Sequence, residues 1–175
     1  MEKRKKQTLI YTVLSITWLI FVSSKCSMEP ETYPISVYNY TDHYINVLLS
    51  LGEPLYPDTL LPDRNYDLNV PVKPNLGRHY SQTLPYKKFV KQYNSDTIII
   101  FIFHTDTLSK YTWDEIRGGR KILKRYDVSW QELEKLNGRI AYPPTEAMKD
   151  MKMYPPYGSE GNVSNLVIKN NEKQN

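Results

Sequence analysis

Ile98-Ile99-Ile100-Phe101-Ile102-Phe103 decides the fold of this chain. Each of the six residues is β-branched or aromatic, the types that pack best on a pleated surface. An unbroken apolar run of this kind reads as a central strand covered on both faces, because a half-buried strand would alternate with polar residues. Burying it contributes about 1.5–3 kcal/mol per large side chain. Left exposed, the same run would be an aggregation hazard.

The flanking sequence supplies partners for that strand. Upstream, Ile35-Ser36-Val37-Tyr38-Asn39-Tyr40 alternates in the manner of a half-buried strand. Thr41-Asp42-His43 supplies turn chemistry, and residues 44–51 alternate again with Ile45, Val47, Leu49 and Leu51 on one face. Together these predict a hairpin, ended by Gly52-Glu53-Pro54. Residues 55–65 read as a loop. Leu68, Val70 and Val72 alternate once more, but Pro71 removes a ladder donor and assigns that strand to an edge. Over residues 85–93 the period changes. Tyr86, Phe89, Val90 and Tyr93 fall at helical spacing with lysines opposite, and Pro85 suits a first turn.

Downstream, Thr112-Trp113-Asp114-Glu115 and Ser129-Trp130-Gln131-Glu132 are capping boxes that open two short helices. Gly118-Gly119 stops the first, and the second runs through Leu133 and Leu136 to Gly138. Between them residues 121–128 read as a strand. Arg139-Ile140-Ala141-Tyr142 reads as the last strand, before Pro143-Pro144. The following segment, with Met148, Met151 and Met153, is expected to wrap the surface. Alternating strands, short helices and no βαβ rhythm define an α+β fold: a mainly antiparallel, β-sandwich-like core with two or three short helices. One globular domain is expected over residues 34–158, preceded by a tether at 26–33 and followed by a polar, disordered tail at 159–175.

Residues 1–25 are read as an export signal. Lys3, Arg4, Lys5 and Lys6 precede an uncharged, mostly apolar run over residues 8–22, then Ser23-Ser24-Lys25-Cys26. The run is too short to span a bilayer comfortably, which takes roughly 20 apolar residues. Cys26 is the single cysteine, so no intramolecular disulfide forms. Its place directly after the signal makes it the candidate lipidation site, with the membrane as partner through that lipid. Lys25 departs from the small residue usual before such a cysteine. Cleavage after Ser24 by an ordinary signal peptidase, and retention of the segment as a tether, stand as the other two readings. The full chain carries 23 basic and 19 acidic residues. Without residues 1–25 it loses five basic residues and Glu2, leaving 18 of each sign. A neutral mature chain gives no support for nucleic-acid or anionic-membrane binding, which needs a basic patch in the working protein.

Candidate chemistry is sparse. His104-Thr105-Asp106 follows the central strand, and a His–Asp pair at a strand end could orient a base or bind a metal. A hydrolase or metal-binding protein with its site near His104 and Asp106 is therefore the alternative to a binding module. No Gly-x-Ser-x-Gly elbow and no paired-histidine motif accompanies the pair. His43 in a turn and His79 in a loop are explained by solvent exposure. Asp114, Glu115, Glu132 and Glu134 lie in first helical turns, where acids serve the helix terminus rather than glycoside hydrolysis. Tyrosine is abundant, at 15 residues. Tyr38, Tyr40 and Tyr44, opposite the presumed core, form the best candidate binding patch. No catalytic residue, cofactor or metal site is assigned.

Three phrases carry a resemblance: residues 39–47 (Asn-Tyr-Thr-Asp-His-Tyr-Ile-Asn-Val), residues 56–62 (Tyr-Pro-Asp-Thr-Leu-Leu-Pro), and residues 103–108 (Phe-His-Thr-Asp-Thr-Leu) leading into Thr112-Trp113-Asp114-Glu115-Ile116. With them the chain resembles small Bacteroides-type lipoproteins of a family with no assigned activity. The resemblance implies location in the bacterial cell envelope, as an outer-membrane lipoprotein exposed at the surface, with Glu29 and Glu31 loosely matching the signal for surface display. It also implies O-glycosylation at Asp-Ser/Thr-apolar triplets. Thr59 and Thr107 lie in such triplets within predicted loops, whereas Thr97 enters the buried strand. The function expected is a non-enzymatic binding or accessory domain for an envelope protein or a glycan.

Overall fold

The hydrophobic run forms the strand β4 (Thr97–His104), and all six of its apolar residues are buried. The computed structural model describes residues 31–51, 61–63 and 68–159, and from Thr32 onward these belong to one compact unit. The other strands are β1 (Ile35–Asn39), β2 (Ile45–Ser50), β3 (Gly77–Tyr80), β5 (Lys124–Ser129), β6 (Arg139–Tyr142) and β7 (Lys152–Tyr154). They make a three-stranded sheet, β3-β1-β6, and a four-stranded sheet, β2-β4-β5-β7. The β1–β6 pair is parallel; the other pairs are antiparallel. Helices α1 (Tyr86–Lys91), α2 (Thr105–Lys110), α3 (Trp113–Gly119) and α4 (Trp130–Lys135) surround them. The fold is α+β with a sheet-rich core, and the described residues hold four short α-helices where two or three were expected.

β4 separates two cores. Ile98, Ile100 and Ile102 face the three-stranded sheet and share a cluster with Ile35, Val37 and Ile140 from it, and with Val47, Tyr126 and Val128 from their own. Ile99, Phe101 and Phe103 point the other way, against Leu48, Leu61, Leu68 and Ile116 of α3. A strand with apolar residues on both faces needs this double cover. Both capping boxes form: the Thr112 and Ser129 side chains accept from the amides of Glu115 and Glu132, whose carboxylates accept from the cap amides in return.

Several expectations need correction. The expected hairpin of residues 35–51 does not form, because β1 and β2 enter different sheets. Its connecting segment holds no glycine for a tight turn and instead wraps the side chain of Asn39, as described below. The expected strand at residues 68–72 reduces to a single bridge between Val72 and Ile45, consistent with the donor lost at Pro71. His79 lies in a strand, β3, rather than a loop. Asp106, Thr107 and Leu108 lie in helix α2 rather than a loop, because the His104 ring caps it by accepting from the Asp106 amide. β6 is followed by a further strand, β7. Met148 and Met151 do not wrap the surface but are buried in the main core.

Candidate functional site

The outer face of the three-stranded sheet is the first candidate. Strand alternation sends Ile35, Val37 and Asn39 inward and Ser36 and Tyr38 outward. Register then sets Ser36 between His79 and Arg139, and Tyr38 between Gly77 and Ala141. The missing side chain at Gly77 leaves room for the Tyr38 ring: a Cβ there would sit 3.0 Å from two of its carbons. The Arg139 guanidinium lies 4.8 Å from the Tyr38 ring centre, and the His79 ring meets it edge-on at 5.8 Å. Tyr40 follows with its ring within 16° of parallel to Tyr38, centroids 6.2 Å apart, and 54% of it is exposed. The face thus presents two parallel phenol rings beside a cation and an imidazole.

Tyr44 does not join this pair. It precedes β2 in the other sheet, its carbonyl accepts from the Thr105 amide, and the residue is 45% exposed. Two of the three tyrosines expected to form one patch are therefore brought together.

Ser36 and His79 are hydrogen-bonded, Oγ to Nδ1, at 2.8 Å. This resembles a nucleophile with its base, but the pair is closed in by the sheet. Ser36 is 4% exposed, and its amide donates to the Gly138 carbonyl as part of the sheet. An acyl-transfer site would need amide donors directed at a developing oxyanion, and here the amide is spent on the ladder.

The second candidate centres on His104. The antiparallel register pairs Ile45 with His104, which carries His43 onto it: the two rings stack at 4.7 Å and 19°. His43 Nδ1 lies 3.1 Å from Asp42 Oδ1, and His104 Nδ1 lies 3.9 Å from Asp106 Oδ2. Hydrogen bonding to His43 holds the Asp42 carboxyl below its usual range. Desolvation, and then the neighbouring His43, pushes the His104 imidazole below its ordinary value. His104 Nδ1 accepts from the Asp106 amide at 3.1 Å, so that nitrogen is occupied as a helix cap. Stacked rings direct their in-plane lone pairs side by side, whereas a metal needs them to converge. The described residues contain no group of three or more His, Cys, Asp or Glu side chains placed to hold a metal ion. Sequence reasoning found the His104–Asp106 pair and missed His43, 61 positions away.

A third feature was missed altogether. Arg125, Asp127, Lys152, Met153, Tyr154 and Pro156 line a cleft of about 240 Å³ along β5 and β7. Arg125 is 3% exposed and holds Asp127 through Nε and Nη2 at 2.6 and 3.1 Å. Lys152 Nζ reaches the same carboxylate at 3.1 Å. Its charges are engaged with one another, which suits a structural clamp between the strands. The sequence signal was the spacing Arg-x-Asp, which puts both side chains on one face of a strand.

Among the other expected sites, Thr107 is half-buried on α2, and Thr59 and Cys26 lie outside the described residues. Comparison with protein-family models, with characterised proteins and with solved structures gives no significant match.

Proposed function

We propose that this chain is an exported protein held at a bacterial envelope membrane, the outer membrane, by a lipid on Cys26. Its domain binds a glycan through the outer face of the three-stranded sheet and performs no reaction of its own. The basic and apolar leader and the serines before Cys26 support the anchor. The observation that carries the binding proposal is the Tyr38–Tyr40 pair, two nearly parallel rings on a sheet face, one of them more than half exposed. Sugar rings lay their C–H faces on aromatic rings, and their hydroxyls take hydrogen bonds from flanking groups such as Arg139 and His79.

A glycan array probed with the protein and with Tyr40→Ala tests the binding face. Exposed side chains of this kind change stability little, so loss of binding with an unchanged Tm supports the assignment. An array with no bound glycan, or one indifferent to Tyr40, rejects it. Mass spectrometry of the mature N-terminal peptide from native membranes, with Cys26→Ala as control, tests the anchor. A lipid-free chain starting at Lys25 rejects that part.

A further inference from the structure

The start of the described chain is pinned to helix α1. The Tyr33 amide donates to the Gln82 carbonyl at 3.0 Å, and Gln82 Nε2 donates back to the Tyr33 carbonyl at 2.8 Å. The Tyr33 ring meets Tyr86 edge-on at 5.7 Å, and the Tyr86 hydroxyl donates to the Pro34 carbonyl at 3.0 Å. Between that pin and Cys26 lie seven peptide units, which extend to at most about 25 Å. A domain anchored at Cys26 therefore holds this pin within about 25 Å of the anchor, and the six-residue helix α1 extends only about 9 Å from it.

The surface at that position has the composition that headgroups attract. Lys87, Lys88 and Lys91 are all exposed, and no acid occupies the first turn of α1. Lys91 pairs with Asp96 at 2.6 Å. Among the described residues neither Lys87 nor Lys88 is within ion-pair reach of a carboxylate, so these two leave helix α1 itself with a positive excess. Lys87 sits 4.9 Å over the Trp130 ring of α4, the helix packed beside α1. Tyr93, 37% exposed, stands at the other end. Indole and phenol rings favour the membrane–water interface, and lysine stems extend their charge toward it. A mature chain with no net charge still carries a local basic surface, because folding gathers these lysines on one side of one helix.

We propose that α1, with Trp130 and Tyr93 beside it, docks on anionic lipid headgroups and orients the anchored domain. This rests on acylation at Cys26. β1 leads away from the pin, and Tyr40 lies roughly 20 Å further along the extended chain. Docking at α1 thus leaves the Tyr38–Tyr40 face at the remote end of β1. The tether is short enough to hold the surface at an effective concentration near the millimolar range, so a weak contact is populated.

The test uses the mature lipidated protein, whose acylated Cys26 cannot take a thiol label. A single new cysteine is introduced as Gln92→Cys, next to α1, or as Leu76→Cys, beyond the far end of β1. Each is labelled with a fluorophore and reconstituted in vesicles of phosphatidylethanolamine and phosphatidylglycerol at about three to one, with nitroxide-headgroup lipid as quencher. Docking predicts stronger quenching at position 92 than at 76, and loss of the difference at high salt. Lys87→Gln with Lys88→Gln should lower the docked-to-free ratio roughly 25-fold, at about fivefold per lysine. Equal quenching, or stronger quenching at 76, on protein whose N-terminal peptide is acylated overturns the docking alone. An unacylated Cys26 overturns the anchor and the docking together.

Discussion

His43 lies against His104 with ring centroids 4.7 Å apart, and burial of the His104 ring beside its neighbour makes that imidazole harder to protonate in the folded protein. Desolvation of His104, followed by the proximity of His43 and Lys110, depresses its pKa from 6.5 against the opposing pull of Asp106. Asp42 faces the pair from the His43 side.

A depressed histidine pKa means that the unfolded chain binds the proton more readily than the folded one. The stability contributed by neutral His104 is therefore complete above 6.5 and is lost as pH falls through that value toward the lower folded value. Urea midpoints should decline between neutral and mildly acidic pH. His104→Asn, which keeps a side-chain acceptor at the cap of α2 without a titrating ring, should flatten that decline. An equally steep loss in the variant would show that other groups cause it.

Asn39 ties the end of β1 to its surroundings. Its Nδ2 donates to the carbonyls of His43 at 2.7 Å and Val72 at 3.0 Å, and its Oδ1 accepts from the amide and hydroxyl of Thr41. The residue is fully buried. Asn39→Ala should cost about 3 kcal/mol in chemical denaturation, since several partners lose their bonds together. Asn39→Asp should cost at least as much, because it turns a donor toward two carbonyls into an acceptor.

Two glycines should respond in opposite directions to alanine. Gly138 has φ of 68°, and a Cβ there would lie 2.0 Å from the Pro34 carbonyl oxygen and 2.3 Å from the Tyr86 hydroxyl. Gly138→Ala should destabilise by roughly 2 kcal/mol or more, combining left-handed strain with displacement of the β1 backbone. At Gly118, in helix α3, an alanine methyl would meet nothing within 4 Å, so Gly118→Ala should stabilise by about 0.5–1 kcal/mol. Thermal melts of the two variants decide both.

Asp127→Asn tests the clamp between β5 and β7. It leaves the buried Arg125 guanidinium without the carboxylate that engages two of its nitrogens. The amide keeps one acceptor and Arg125 keeps its contact with the Phe101 ring, so losing the charge-assisted bonds should cost about 1.5–3 kcal/mol, read from the denaturation midpoint. A change within about 0.5 kcal/mol, the scale of an ordinary surface substitution, would mean that the pair contributes nothing.

What could be read directly was local. The capping boxes at Thr112 and Ser129 are four-residue patterns whose hydrogen bonds close within one turn, so neighbouring residues suffice to specify them. The face of β2 carrying Ile45 and Val47 follows in the same way from alternation. Helix α2 escaped because its cap is a histidine, an uncommon choice, and its six residues bury no side chain fully.

The candidate sites were harder to read because they join distant segments. Tyr40 follows Tyr38 by two positions, just past the end of β1, so their pairing was legible, while Tyr44 lies just before β2 of the other sheet. His79 reaches Ser36 and Tyr38 through the β1–β3 register, and Arg139 reaches them through a parallel pairing with β6. No local pattern encodes either.

By itself, the sequence determined that residues 98–103 form a strand with two apolar faces, because side-chain chemistry at consecutive positions leaves no solvated side for it. Tertiary structure alone decided which layers cover those faces, that β1 leaves β2 for β6, and that His43 rests on His104. Those outcomes depend on strand partners whose alternating patterns are nearly interchangeable. The choice among them is made by burial and hydrogen bonding summed over the whole core.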